Sequence, residues 1–200
     1  VTTPPTRWEL AGEGNRGYGE HFAALVAQGA DVDGEARLAD ALVPRGARIL
    51  DVGSGMGRIA ASLRRRGHEV VATEPDLELR AQSGRTYPDL EVLPHEALAL
   101  DPGEVGRFDL VVVVGNVMIY LGEGTERTVL ARLRELLAPG GRILAGFHLT
   151  AVKNGSRSYP AEEFVADCAA AGLRVEHRFG SYELHQPNDE YAVWVLSAAD

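Results

Sequence analysis

The sequence predicts a doubly wound α/β domain: a mostly parallel, seven-stranded sheet with helices on both faces and an antiparallel C-terminal edge strand. Three observations lead there. Short β-rich runs alternate with stretches of helical period along most of the chain. One Val-rich run, Phe108 to Val114, apolar without a break from Leu110, has the composition of a central strand buried on both faces. A glycine-rich turn, Asp51-Val52-Gly53-Ser54-Gly55-Met56-Gly57, joins the first strand to the helix after it.

The elements follow in order. Pro4-Pro5 and the lack of periodicity make Val1 to Arg7 a frayed tail. Tyr18 to Gln28 carries Phe22, Leu25 and Val26 on one helical face, and Gly29 can stop that helix. A short helix from Glu35 to Leu42 ends at Pro44. Arg48 to Val52 is the first strand, and the helix after the glycine turn runs through Ile59 and Leu63 to Gly67. Glu69 to Thr73 is a strand, Asp76 to Arg85 a helix, and Leu90 to Leu93 a strand. After the Phe108 strand, Glu123 to Leu137 aligns Val129, Leu133, Leu136 and Leu137 on one stripe of a helix. Pro139-Gly140-Gly141 turns the chain into a strand from Arg142 to Phe147. Helix Ala161 to Ala171 and strands Leu173 to Phe179 and Tyr191 to Leu196 complete the chain. The last two strands have no helix between them, so they pair antiparallel at an edge. Residues 1–45 read as an N-terminal helical extension and 46–200 as the ligand-binding domain.

Composition narrows the function. A chain of 200 residues, 45% hydrophobic and 24% charged, suits one domain with a single core. No apolar run approaches the roughly 20 residues that cross a bilayer, and the start lacks the pattern of a signal peptide. The formal charge of −9 repels nucleic acid. The one basic cluster, Arg64-Arg65-Arg66, falls where cations favour a helix end. Cys168 is the single cysteine, set in a helical pattern as a buried small hydrophobe, and a reducing cytoplasm fits. The expected partner is a small molecule, with no membrane and no nucleic acid, and the chain a monomer or homodimer.

The glycine turn carries most of the chemistry. Glycine lets a backbone turn sharply and approach a ligand with no Cβ in the way, and in a doubly wound sheet this turn lies at the carboxyl edge, where ligands bind. The spacing departs from the dinucleotide fingerprint G-x-G-x-x-G, because the third glycine comes one position early and Arg58 stands at the expected site. Asp51 would also repel a pyrophosphate, whereas a ligand bearing an ammonium and a sulfonium would welcome it.

Ile49 to Gly57 resembles the first motif of class I S-adenosylmethionine (SAM)-dependent methyltransferases, and the similarity in layout runs from about Gly46 to the C-terminus. The resemblance implies a Rossmann-like fold and SAM as cofactor, with 46–200 as the SAM-binding domain and 1–45 as a lid. It implies that Gly53, Ser54, Gly55 and Gly57 pack on the methionine and ribose parts, while Asp51 helps hold the amino-acid end. Glu74, at the end of the second strand, matches the acid that takes the ribose hydroxyls, and a carboxylate can accept from both arms of a diol. Pro75 falls beside the adenine, Glu96 and Ala97 match an acid and a small residue near the adenine amino group, and Gly115 begins the loop that lines cofactor and substrate. Plainer readings stand beside these: Asp51 as a helix cap, Glu74 and Glu96 as exposed turn acids.

Methyl transfer from a sulfonium needs alignment and a dry pocket more than acid–base chemistry. A general base is required only where the acceptor must lose a proton, and the catalytic residue stays unassigned. His148, His21, Tyr18 and Tyr120 are the candidates by position, each with a structural alternative. Gly115-Asn116 stands where a metal-dependent subgroup has acids, and no Cys cluster or paired His spacing exists, so no metal is expected. Substrate selection falls to Arg7 to Asp33, the 116–124 loop and the 148–160 loop. The leading expectation is methylation of a small-molecule acceptor; a non-catalytic SAM-binding module and a nicotinamide oxidoreductase are the alternatives.

Overall fold

A computed structural model describes residues 3–153 and 155–199. The first two residues of the expected tail, one residue of the 148–160 loop and the last residue therefore lie outside the described residues. A seven-stranded sheet forms the centre, in the order β3-β2-β1-β4-β5-β7-β6. Its strands are β1 (Arg48–Val52), β2 (Glu69–Thr73), β3 (Val92–Leu93), β4 (Phe108–Val113), β5 (Leu137–His148), β6 (Leu173–Phe179) and β7 (Tyr191–Ala198). Strands β1 to β5 pair in parallel, and β7 runs antiparallel to both β5 and β6. The C-terminal strand is antiparallel as expected, but it slots between β5 and β6, so β6 forms the edge itself.

Alternating side chains of the central strands feed two cores, the period-2 consequence of the pleat. Leu50, Val52, Val111 and Val113 pack on one face beneath α8 (Glu126–Glu135) and α9 (Ala161–Ala170). Ile49, Leu110 and Val112 pack on the other, against Ala36 of α3 (Gly34–Ala41) and Ile59 and Leu63 of α4 (Arg58–Arg65). The remaining helices are α1 (Arg7–Ala11), α2 (Tyr18–Ala27), α5 (Leu77–Thr86), α6 (Pro102–Val105) and α7 (Val117–Tyr120). Among the described residues no helix is long and apolar enough to cross a membrane.

Local chemistry explains where elements depart from expectation. The segment before α1 is not a frayed tail over its described part. Thr6 caps α1 in a reciprocal capping box with Glu9 and forms an isolated bridge with Gly122. Helix α8 starts three residues later than predicted because Gly124 sits at φ +74° in a turn closed by Thr125 onto the Gly122 carbonyl. Leu137 leaves the helix to pair with Phe108, and Pro139-Gly140-Gly141 is an irregularity inside β5 and not a turn before it. Arg64 and Arg65 end α4, with Arg65 3.5 Å from Asp33 and Arg66 3.2 Å from Asp40, which bears out the helix-end reading. Cys168 is fully buried.

Candidate functional site

Strand β1 pairs with both β2 and β4, so the chain reverses its winding there and leaves a crevice beyond the carboxyl ends of β1 and β4. A cavity of about 1110 Å³, part of it open to solvent, fills that crevice.

Three glycines form the floor of the turn, each with positive φ: Gly53 at +66°, Gly55 at +57° and Gly57 at +82°. They have different work. A Cβ on Gly53 would come 2.6 Å from Val117 Cγ2, and one on Gly57 would come 2.5 Å from Leu90 Cδ2 and 2.7 Å from Ser83 Oγ. Those two are bare so that the protein can pack. A Cβ on Gly55 or on Gly115 (φ +70°) would meet nothing within 4 Å, and both residues line the cavity. Those two are bare toward the cavity. Gly57 does not line the cavity, and Leu90 and Ser83 occupy the space that its Cβ would take.

Asp51 also stands back from the wall. Its side chain is 1% exposed, does not reach the cavity, and accepts the Ala60 amide at 3.1 Å. That amide is the third in α4 and has no partner within the helix, so Asp51 braces the turn from behind. Burial pushes its carboxyl up to about 7. Glu74 does line the cavity. Its Oε2 accepts the Gly55 amide at 2.9 Å and its Oε1 the Asp76 amide at 2.9 Å. One carboxylate thus pins the glycine turn to the end of β2, and each oxygen keeps a lone pair to spare. Burial pushes Glu74 up to about 7 as well, against the pull of those two amides. Glu96, Ala97, Pro75, Gly53 and Ser54 also lie on the wall. Burial raises Glu96, and the Ser54 hydroxyl is buried without a partner among the described residues.

The four catalytic candidates divide evenly. Tyr18 and Tyr120 line the cavity; His148 and His21 do not. Asn116 Oδ1 accepts the His148 backbone amide at 2.9 Å and lies 3.0 Å from its Nδ1. A backbone N–H can only donate, so that atom is the amide oxygen and Nδ1 carries the ring proton. The contact ties His148, at the end of β5, to the loop after β4, and its ring does not line the cavity. His21 packs edge-on against Phe22, with ring centroids 5.6 Å apart. Described residues of the 148–160 loop stay off the wall and act behind it, the Lys153 carbonyl accepting from the Tyr120 hydroxyl at 3.1 Å.

Sequence reasoning missed part of the wall. Trp8 sits edge-on to Tyr18 at 5.3 Å and to Tyr120 at 5.4 Å, and its Nε1 donates to Asp76 Oδ2 at 2.8 Å. With Phe22, 5.0 Å from Tyr18, these rings form a row across the opening. The capping box Thr6-x-x-Glu9 is the sequence signal for α1, masked by the prolines before it. Arg58 also lines the cavity.

A methyltransferase domain family matches residues 49–141. A TehB-like SAM-dependent methyltransferase from Corynebacterium glutamicum is 32% identical over 93% of this chain and 98% of its own, with a TM-score of 0.80. The chain belongs to the class I SAM-dependent methyltransferases. Its cofactor is S-adenosylmethionine. More distant methyltransferases share the fold. CcbJ from Streptomyces caelestis is 20% identical over 84% of this chain and 90% of its own, TM-score 0.74. The Burkholderia thailandensis 1,6-didemethyltoxoflavin-N1-methyltransferase, solved with its substrate and S-adenosylhomocysteine (SAH), is 21% identical over 100% and 94%, TM-score 0.65. No curated protein sequence matches the chain. The open Cβ positions at Gly55 and Gly115, the spare lone pairs of Glu74 and the unpartnered Ser54 hydroxyl fit this methyltransferase cofactor.

Proposed function

We propose that the chain transfers the SAM methyl group to a small-molecule acceptor, with residues 46–200 holding the cofactor and 1–45 forming a lid. The cavity carries this reading: two glycines face it bare, two carboxylates edge it, and Thr3, Pro4, Thr6, Trp8, Tyr18 and Phe22 cover it. Glu74 takes the ribose hydroxyls, Glu96 and Ala97 the adenine edge, and Pro75 the adenine face. Gly53, Ser54, Gly55 and Gly115 pack along the methionine portion, with Asp51 supporting them from behind.

SAM supplies a methyl group already activated on a sulfonium. The chain contributes alignment and exclusion of water. Burial raises the phenols of both Tyr18 and Tyr120. At neutral pH they are protonated, so they position an acceptor by hydrogen bonding and do not remove a proton from it. That suits a nucleophile whose lone pair is already available, such as a neutral nitrogen. Two fold neighbours are N-methyltransferases by name, one for 1,6-didemethyltoxoflavin and one for a glycopeptide.

Heat stabilisation by SAH and calorimetric binding test the cofactor site, and radiolabelled methyl transfer into a metabolite extract tests turnover. Binding with transfer into a small molecule is the expected result. Binding without transfer would favour a non-catalytic module, and no binding of SAH would overturn the proposal.

A further inference from the structure

Arg58 opens α4 directly behind the glycine turn, and among the described wall residues it is the one lysine or arginine. Its surroundings hold the guanidinium firmly. Nη1 donates to the Val32 carbonyl and, at 2.9 Å, to Glu35 Oε2, while Nη2 donates to Glu35 Oε1. The Phe22 ring centroid lies 5.1 Å from Cζ. The side chains of Arg58 and Glu35 are each 13% exposed.

A guanidinium carries five N–H donors in a planar fork. Glu35 and Val32 take three of them, both on Nη1 and the inner one on Nη2. The two that remain, Nε–H and the outer Nη2–H, lie parallel along one edge. That edge has the geometry that grips a carboxylate through two charge-assisted hydrogen bonds. Nε has no hydrogen-bond partner among the described residues, and unlike Nε of Arg66 and Arg178 it is not sealed away from solvent. A carboxylate entering a wall that already presents Glu74 and Glu96 needs a cation, and Arg58 is permanently charged.

We propose that the free edge of Arg58 is a carboxylate receptor in this cavity, with Glu35 as the positioning residue that sets the plane of the guanidinium. The carboxylate belongs either to the amino-acid end of the cofactor or to the acceptor. The proposal rests on the cavity being the cofactor site, and the test keeps the two apart.

Two variants are compared with the wild type, with melting temperature read for each. Arg58→Lys keeps a cation for Glu35 but has no planar edge; Arg58→Met with Glu35→Gln leaves no unpaired charge. For a cofactor carboxylate, SAH affinity falls about ten- to hundred-fold in both, while that of 5′-methylthioadenosine, which lacks the amino-acid end, moves less than about two-fold. For an acceptor carboxylate, SAH affinity holds and sodium benzoate no longer binds the SAH-saturated variants, with benzamide as the uncharged control. Equal losses for both thioethers, or no response of SAH or benzoate, would overturn the proposal. A wild type that binds neither thioether would overturn the cofactor reading and this inference with it.

Discussion

Substituting alanine at Gly55 and at Gly57 should separate ligand contact from packing within one turn. Both positions lie in the left-handed region, at φ +57° and +82°. An L side chain there costs about 1–2 kcal/mol at either site. At Gly55 nothing stands within 4 Å of the added Cβ, so the strain is the whole penalty. For a domain of this size it corresponds to a fall in Tm of roughly 2–8 °C. At Gly57 the Cβ would press on Leu90 Cδ2 and Ser83 Oγ, and both side chains are buried. Overpacking adds about 1–3 kcal/mol, for a total fall of roughly 4–20 °C. Binding should show the opposite order. Gly55→Ala puts a methyl group into the cavity and should weaken SAH by about ten-fold or more. Gly57→Ala, read below its own Tm, should bind SAH nearly as the wild type does. Differential scanning fluorimetry and isothermal titration provide both axes. Full SAH affinity in Gly55→Ala, together with loss of affinity in a well-folded Gly57→Ala, would refute the assignment.

Glu74→Gln should weaken SAH by about ten-fold or more, since it withdraws a charged acceptor from the ribose; unchanged titration curves would contradict this. Asp51 and Glu74, raised to about 7, stay protonated in the native protein while the unfolded chain ionises from about pH 4. Their contribution to stability is therefore greatest below about pH 4, declines as pH rises to about 7, and is level above that, by up to a few kcal/mol per group. Urea melts of wild type minus Glu74→Gln across this window isolate one share, and a difference that is flat or rises with pH would be inconsistent. Hydroxyl donors favour the charged carboxylate, so SAH binding near pH 6.5 should release protons, measured by calorimetry in two buffers; uptake would argue against Glu74 as the ribose acceptor. Of the two tryptophans, Trp194 is 1% exposed in the core and Trp8 stands on the cavity wall. SAH should therefore change tryptophan emission in the wild type but not in Trp8→Phe, and a response that survives the substitution would remove Trp8 from the lid.

The strands and the glycine turn were legible because their signals are local. The apolar run of β4 and the alternation of strand and helix fix the sheet, and three glycines after an acid fix its ligand edge. What stayed hidden depends on direction in space. Spacing does not say which glycine faces a ligand, because Gly55 and Gly57 differ only in whether Leu90 or open space lies beyond them. Asp51 belongs to the same motif, yet it turns inward to the Ala60 amide because β1 alternates its side chains. His148 stands at a strand end, and the sequence does not show that Asn116, 32 residues away and adjacent across the strand ends, holds its ring. Trp8 is placed on the wall by contacts with segments more than 60 residues away, its bond to Asp76 and its ring contact with Tyr120.

The central claim is that the turn at residues 53–55 and the carboxylate of Glu74 hold one adenosyl ligand between them. A crystal structure of the protein with SAH tests it most directly. It should show both ribose hydroxyls about 2.5–3.0 Å from the Glu74 oxygens, with the ligand lying directly over Gly55 Cα. A ribose bound away from Glu74, or a side chain interposed above Gly55, would contradict the account.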